Sequence, residues 1–168
     1  MLRVHRSIQV LLAAAALTVS AMPAAAASLV GTVNGVGTGS VASGGVLQPV
    51  GDGRFRVTGR EYQVRMSTDE ASGCFRGSLR VSEEAVLSVP HYAGSHEGTM
   101  EIASDAGTLL LRYRGDVNRY VGKGDWWVVR GTASCADVSG TGDYMSSFSS
   151  GQSTEYRLEL HGRVAQGD

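Results

Sequence analysis

The chain has one lysine, two cysteines and three prolines among its 168 residues, and aromatic residues make up only 7% of it. It has no sustained charge of either sign: 15 Lys and Arg stand against 16 Asp and Glu, for a formal net charge of −1 at pH 7. That balance removes the electrostatic reason to expect a nucleic-acid partner. A Gly-x-Ser-x-Gly elbow and a complete Gly-x-Gly-x-x-Gly fingerprint are missing, and Gly122-Lys123-Gly124 is only a fragment of a phosphate loop. No second Cys or His stands at ligand spacing from either cysteine, so neither a metal nor a cofactor is expected. What is abundant is glycine, with 23 residues, and a hydrophobic fraction of 42%, too high for a disordered chain. The length suggests one folded domain.

The first 27 residues read as an address. Arg3, His5 and Arg6 form a basic start, Ile8–Val19 is apolar apart from Gln9, and Pro23 leads into the small-residue run Ala24–Ala27. This is the pattern of a secretory signal peptide. The apolar stretch is short of the roughly 20 residues a membrane-spanning helix needs. Cleavage after Ala27 would release residues 28–168 as a single domain, with no membrane span, to a periplasm or medium. Without Arg3 and Arg6 the basic residues number 13 against the same 16 acidic ones, a formal charge of −3. One lysine beside 14 arginines and many Ala and Gly suggests a bacterium with GC-rich DNA. In an exported chain the even pair Cys74 and Cys135 is expected to form a disulfide.

From residue 28 onward the chain reads as strands. Phe55 and Val57 alternate with Arg54, Arg56 and Thr58; after Gly59-Arg60 the phase slips and Tyr62, Val64 and Met66 carry the apolar face, the mark of a bulge. Asp52-Gly53 signals the turn before it. Phe75, Leu79 and Val81 point inward on a second strand, which Ala85, Leu87 and Val89 continue, with room for one helical turn at Glu83–Leu87. Met100 and Ile102 lead to a three-residue loop, Asp105-Ala106-Gly107, and Leu109, Leu111 and Tyr113 return. Gly122-Lys123-Gly124 marks another turn before a strand over Trp126–Val129, and Tyr156, Leu158 and Leu160 define the last strand. The Ser- and Gly-rich stretch Ser139–Ser153 reads as a long loop. Seven or eight short strands with glycine-marked bends and no helix of ten residues predict an all-β, antiparallel, eight-stranded barrel.

Three histidines lie outside the leader. His91, His96 and Glu97 fall on a stretch read as a loop, where they could meet as metal ligands or an acid–base pair, or be ordinary exposed polar residues. Arg54, Arg56, Arg76, Arg80, Arg112, Arg114 and Arg157 share the polar phase of their strands. They form either an anion-binding stripe or, with Glu101, Glu155 and Glu159 interspersed, a solvated outer face; the interspersed acids favour the second. Trp126 and Trp127 must point to opposite faces, with Trp126 assigned inward.

The run from Gly124 to Tyr144, GDWWVVRGTASCADVSGTGDY, with Glu97-Gly98-Thr99 and the strand Tyr156–Val164, resembles the allene oxide cyclase and dirigent-like barrels, secreted bacterial members included. The first of the two glycine turns departs from that pattern, reading Gly131-Thr132-Ala133. The resemblance implies an eight-stranded antiparallel barrel, often homo-oligomeric, with an apolar cavity in which reactive small molecules are bound, cyclised or coupled. It transfers no catalytic residue to this chain. The expected function is burial of a small apolar or aromatic ligand among the inward residues Tyr62, Met66, Tyr113, Trp126 and Tyr156. The alternatives are an extracellular interaction protein, using Trp127 and loops Pro90–Gly98 and Ser139–Ser153, and a cofactor-free cyclase. The cyclase needs at least one buried polar group inside the barrel, such as Glu61 or Glu101 displaced by a bulge, and an inward carboxylate with a raised pKa would favour it.

Overall fold

The computed structural model describes residues 28–69, 73–149 and 154–167. The leader assigned to residues 1–27 lies outside them. Eight strands follow one another in a meander: β1 Ser28–Gly51, β2 Arg54–Thr68, β3 Gly77–Ser88, β4 Ala93–Ser104, β5 Gly107–Asn118, β6 Val121–Gly131, β7 Val138–Phe148 and β8 Glu155–Gln166. Each pairs antiparallel with its neighbours, and β1 pairs with β8, so the sheet closes into an eight-stranded barrel. Closure removes the free edges of the sheet, and the period-2 alternation sends one set of side chains inward along every strand.

The expected turn at Asp52-Gly53 is present, and the pairing of β2 with β3 shifts between Val57 and Arg60, where Gly59 has φ +69°. Several sequence-based expectations are corrected. Glu83–Leu87 is not a helical turn but strand, in unbroken register with β4. The loop expected at Pro90–Gly98 is short, because β4 starts at Ala93; His91 is exposed in the turn, while His96 faces in and Glu97 out. Asp105-Ala106 alone make the β4–β5 turn, with Ser104 opposite Gly107. Gly122-Lys123-Gly124 lies within β6, which extends beyond the predicted Trp126–Val129; the turn before it is Arg119-Tyr120. Ser139–Phe148, assigned to a loop, is strand β7, paired on both sides; residues 150–153 of that assignment lie outside the described residues.

The interior has two halves. At one end the β2–β3 and β6–β7 connections are joined by the Cys74–Cys135 disulfide, with Cα atoms 5.8 Å apart. Cys135 closes a single 3-10 turn, Ala133–Cys135. Above it Val33, Met66, Phe75, Leu79, Ile102, Leu109 and Trp126 pack without exposure above 2%. Trp126 stands 5.6 Å from Phe75, centroid to centroid, and donates its indole N–H to the Asp143 and His161 carbonyls. Room for Met66 comes from β1, where a Cβ at Gly35 would stand 2.9 Å from Met66 Cε. At the other end, toward the turns at Asp52-Gly53, Val89–Tyr92 and Arg119-Tyr120, the interior is polar and partly hollow.

The seven outward arginines are exposed. Arg80 pairs with Glu61 at 2.7 Å and Arg157 with Glu159 at 2.9 Å, so acids are threaded among them. Trp127 faces outward and is half-buried, with the Arg114 guanidinium 6.0 Å above its ring.

Candidate functional site

Among the described residues, the open half of the barrel contains one buried carboxylate. Glu83 continues the inward phase of Leu79, Val81 and Ala85 along β3, and is 7% exposed. Neither Glu61 nor Glu101, the acids named as examples for the cyclase reading, turns inward: both stay on the outer phase. The bulge at Gly59 acts on β2 upstream of Glu61 and brings Arg60 opposite Glu83 instead.

Four donors converge on Glu83. Tyr62 Oη donates to Oε1 at 3.0 Å and Tyr113 Oη to Oε2 at 3.4 Å. Arg60 Nη1 stands 3.4 Å from Oε1, and His96 Nδ1 stands 2.8 Å from Oε2. Burial alone would push the Glu83 pKa up, but the hydrogen bond and charge of His96, the charge of Arg60 and the Tyr62 hydroxyl outweigh it and hold the carboxyl below its usual range. An ionised carboxylate only accepts, so His96 Nδ1 is the donor. The Nε2 of the same ring lies within hydrogen-bond distance of Tyr144 Oη, 2.6 Å away. The chain Glu83–His96–Tyr144 thus links β3, β4 and β7 through the barrel interior.

Glycines make the room for it. A Cβ at Gly122 would lie 2.6 Å from both His96 Cε1 and Ser146 Oγ, and one at Gly115 would lie 2.7 Å from Tyr144 Oη. This is the packing reason for Gly122 in β6, where the sequence suggests a turn, and for Gly115 in β5. Aromatic rings fill the rest of the shell: Tyr113 meets Tyr144 edge-on at 5.1 Å, and Tyr62 stacks on Tyr156 at 4.2 Å and 14°.

Above the cluster lies a cavity of about 540 Å³. Tyr62, Tyr156 and Phe148 form an aromatic wall, Leu87 and Val117 an aliphatic one, and Arg60, Glu83, His96 and Ser146 the polar floor. A larger hollow of about 930 Å³ is lined by charged side chains of both signs, including Arg56, Glu97, Arg114 and Asp125, and also by His96 and Tyr144 of the cluster.

All five residues that the strand phase assigned to a ligand are buried. Tyr62 and Tyr156 line the cavity. Tyr113 supports its floor through Glu83, whereas Met66 and Trp126 belong to the packed half. Tyr62 and Tyr113, from strands far apart in sequence, reach the same carboxylate, so their phases agree. Arg60, Glu83, Tyr144, Ser146 and Phe148 were not anticipated as site residues. His91 and Glu97 do not join His96, and among the described residues no group of three or more His, Cys, Asp and Glu is placed to hold a metal ion.

The tyrosines give a first test. Burial, followed by the Glu83 charge, raises the pKa of Tyr62, Tyr113, Tyr144 and Tyr156. A raised folded pKa contributes stability that is fully present below the unfolded tyrosine value of about 10 and is lost as pH rises from there toward the folded value. In an alkaline titration followed by phenolate absorbance, these four are expected to ionise only as the barrel unfolds. Smooth ionisation of all six tyrosines with the fold intact would refute the buried cluster.

Comparison with protein-family models, with curated proteins and with solved structures returns no match.

Proposed function

We propose that this protein is an exported barrel that takes up a small apolar or aromatic molecule in the cavity above Glu83. The observation that carries the proposal is the cavity itself. About 540 Å³ of hollow interior, with aromatic and aliphatic walls and a few convergent polar groups, is of the size and character of small-molecule sites. Binding is favoured over catalysis by the geometry around Glu83: four donors occupy both of its oxygens and hold it in place.

Other observations point the same way. The resemblance to allene oxide cyclase and dirigent-like barrels implies a closed eight-stranded fold with a cavity, and membership of that family is part of the proposal. A buried disulfide is consistent with an extracytoplasmic location, and export through the residue 1–27 leader is proposed with it. The alternative of an extracellular interaction surface draws on apolar side chains at the open end, Val46 and Leu47 above all, each 59% exposed.

The test is native mass spectrometry of the protein purified from its host's medium, beside its denatured mass. A small additional mass that is lost on denaturation is expected and identifies the ligand. A bare mass, under conditions shown to preserve a known protein–ligand complex, counts against tight binding and turns attention to the exposed apolar side chains.

A further inference from the structure

We infer that the occupant of the cavity carries an anionic group, a carboxylate or sulfonate on an aromatic or apolar body, which the guanidinium groups of Arg60 and Arg119 receive. This rests on the proposal that the cavity binds a small molecule, and adds its charge.

Among the described residues, the Arg, Lys, Asp and Glu side chains that line the cavity are Arg60, Glu83 and Arg119. Glu83 is already saturated, with both oxygens taken by hydroxyl, imidazole and guanidinium donors. The two arginines are not. A guanidinium presents five N–H donors in a rigid fork. Among the described residues the Arg60 side chain meets only Glu83, at 3.4 Å, and Tyr62. Arg119 makes no ion pair and no side-chain hydrogen bond among them. Its main-chain N–H donates to the Tyr92 carbonyl at 3.0 Å, which ties the β5–β6 turn to the β3–β4 turn at the cavity mouth.

Glu83 therefore balances one arginine and leaves the other uncompensated beside walls built from Tyr62, Tyr156, Phe148 and Leu87. A neutral apolar occupant would cover these forks and leave donors without acceptors, at a cost. A carboxylate or sulfonate accepts from them in charge-assisted, two-pronged hydrogen bonds. The stacked Tyr62–Tyr156 pair gives a flat wall for a ring attached to it.

The experiment uses two fluorescent probes with the same fused-ring skeleton: anionic anilinonaphthalenesulfonate and neutral N-phenylnaphthylamine. The sulfonate is expected to bind at least about tenfold tighter, the scale of one charge-assisted hydrogen bond. Arg119→Gln should cost the sulfonate about tenfold and should not weaken the neutral probe, which no longer covers a guanidinium, and Arg119→Lys, which keeps the charge without the fork, should fall between. Arg119 is an exposed turn residue, so each variant is expected to keep the parent's melting temperature. Equal affinity for the two probes, or equal loss in the variant, overturns the anionic inference and leaves the cavity proposal standing. If neither probe binds, or if both still bind after Val117→Trp narrows the mouth, the cavity proposal falls and this inference with it.

Discussion

Glu83→Ala is expected to lower the unfolding free energy by about 3–5 kcal/mol, because it leaves a buried cluster without its centre. The loss is not that of a single contact. His96 Nδ1, the hydroxyls of Tyr62 and Tyr113, and one side of Arg60 all lose their acceptor; Tyr62, Tyr113 and His96 are at most 4% exposed, and a buried unpaired group costs more than a made hydrogen bond contributes. Against a typical domain stability of about 5–15 kcal/mol, such a loss is readily measured by urea unfolding at neutral pH. The pH dependence follows from the depressed pKa. Stability from Glu83 is present above the ordinary carboxylate value of 4.5 and is lost as pH falls from there through the lower folded value. Glu83→Gln, which keeps the shape without the titration, should be less stable at pH 7 and show a shallower loss in acid. A cost below about 1 kcal/mol for Glu83→Ala, in the range of exposed pairs, would mean that the cluster does not hold in solution.

The same residue shows where the sequence was readable and where it was not. Leu79, Val81, Glu83 and Ala85 keep one phase without a break, so the inward position of Glu83 was available from periodicity alone. Two neighbouring acids, Glu83 and Glu84, disguised it, because charged residues are rarely buried. His96 was hidden differently: it shares its phase with Met100 and Ile102, but Gly98 stands between and carries no side chain to mark the face. In β7 the inward positions are Val138, Gly140, Gly142, Tyr144, Ser146 and Phe148, half of them small enough to read as loop. The barrel needs those small residues: a Cβ at Gly140 would lie 2.7 Å from Val164 Cγ1. Glycine thus serves two ends in this chain. At Asp52-Gly53 and Gly59 it permits a positive φ, which the local sequence announces. At Gly115 and Gly122 it clears space for rings from distant strands, which only the closed barrel reveals. The packed half was more legible where alternation is clear: Leu158 and Leu160 stand between Arg157, Glu159 and His161, and both are fully buried.

Removing the disulfide, by Cys74→Ala with Cys135→Ala, is expected to cost about 4 kcal/mol. The cross-link spans a sequence separation of 61, and a loop of that length in the unfolded chain carries a closure entropy of about that size. Its position gives the constraint structural meaning. Between the two cysteines lie β3, β4, β5 and β6, half of the barrel wall, so the bond joins the two ends of a four-stranded segment that ladder hydrogen bonds otherwise hold only strand by strand. Both cysteines are fully buried at the closed end, where the Ser134 N–H donates to the Ala106 carbonyl at 3.0 Å and Gln166 Nε2 to the Ser134 carbonyl at 3.0 Å. The folded protein should therefore resist reductant until it opens, and the double-alanine variant should fold with the same ladder but a lower urea midpoint. Because the polar cluster lies in the other half, behind the packed layer of Leu79, Ile102 and Trp126, the variant should retain its probe affinity at temperatures where it remains folded. An unchanged urea midpoint would show that the cross-link does not constrain the unfolded chain. Loss of probe binding in the folded variant would show that the two halves of the interior are coupled, and that the closed end helps to shape the cavity.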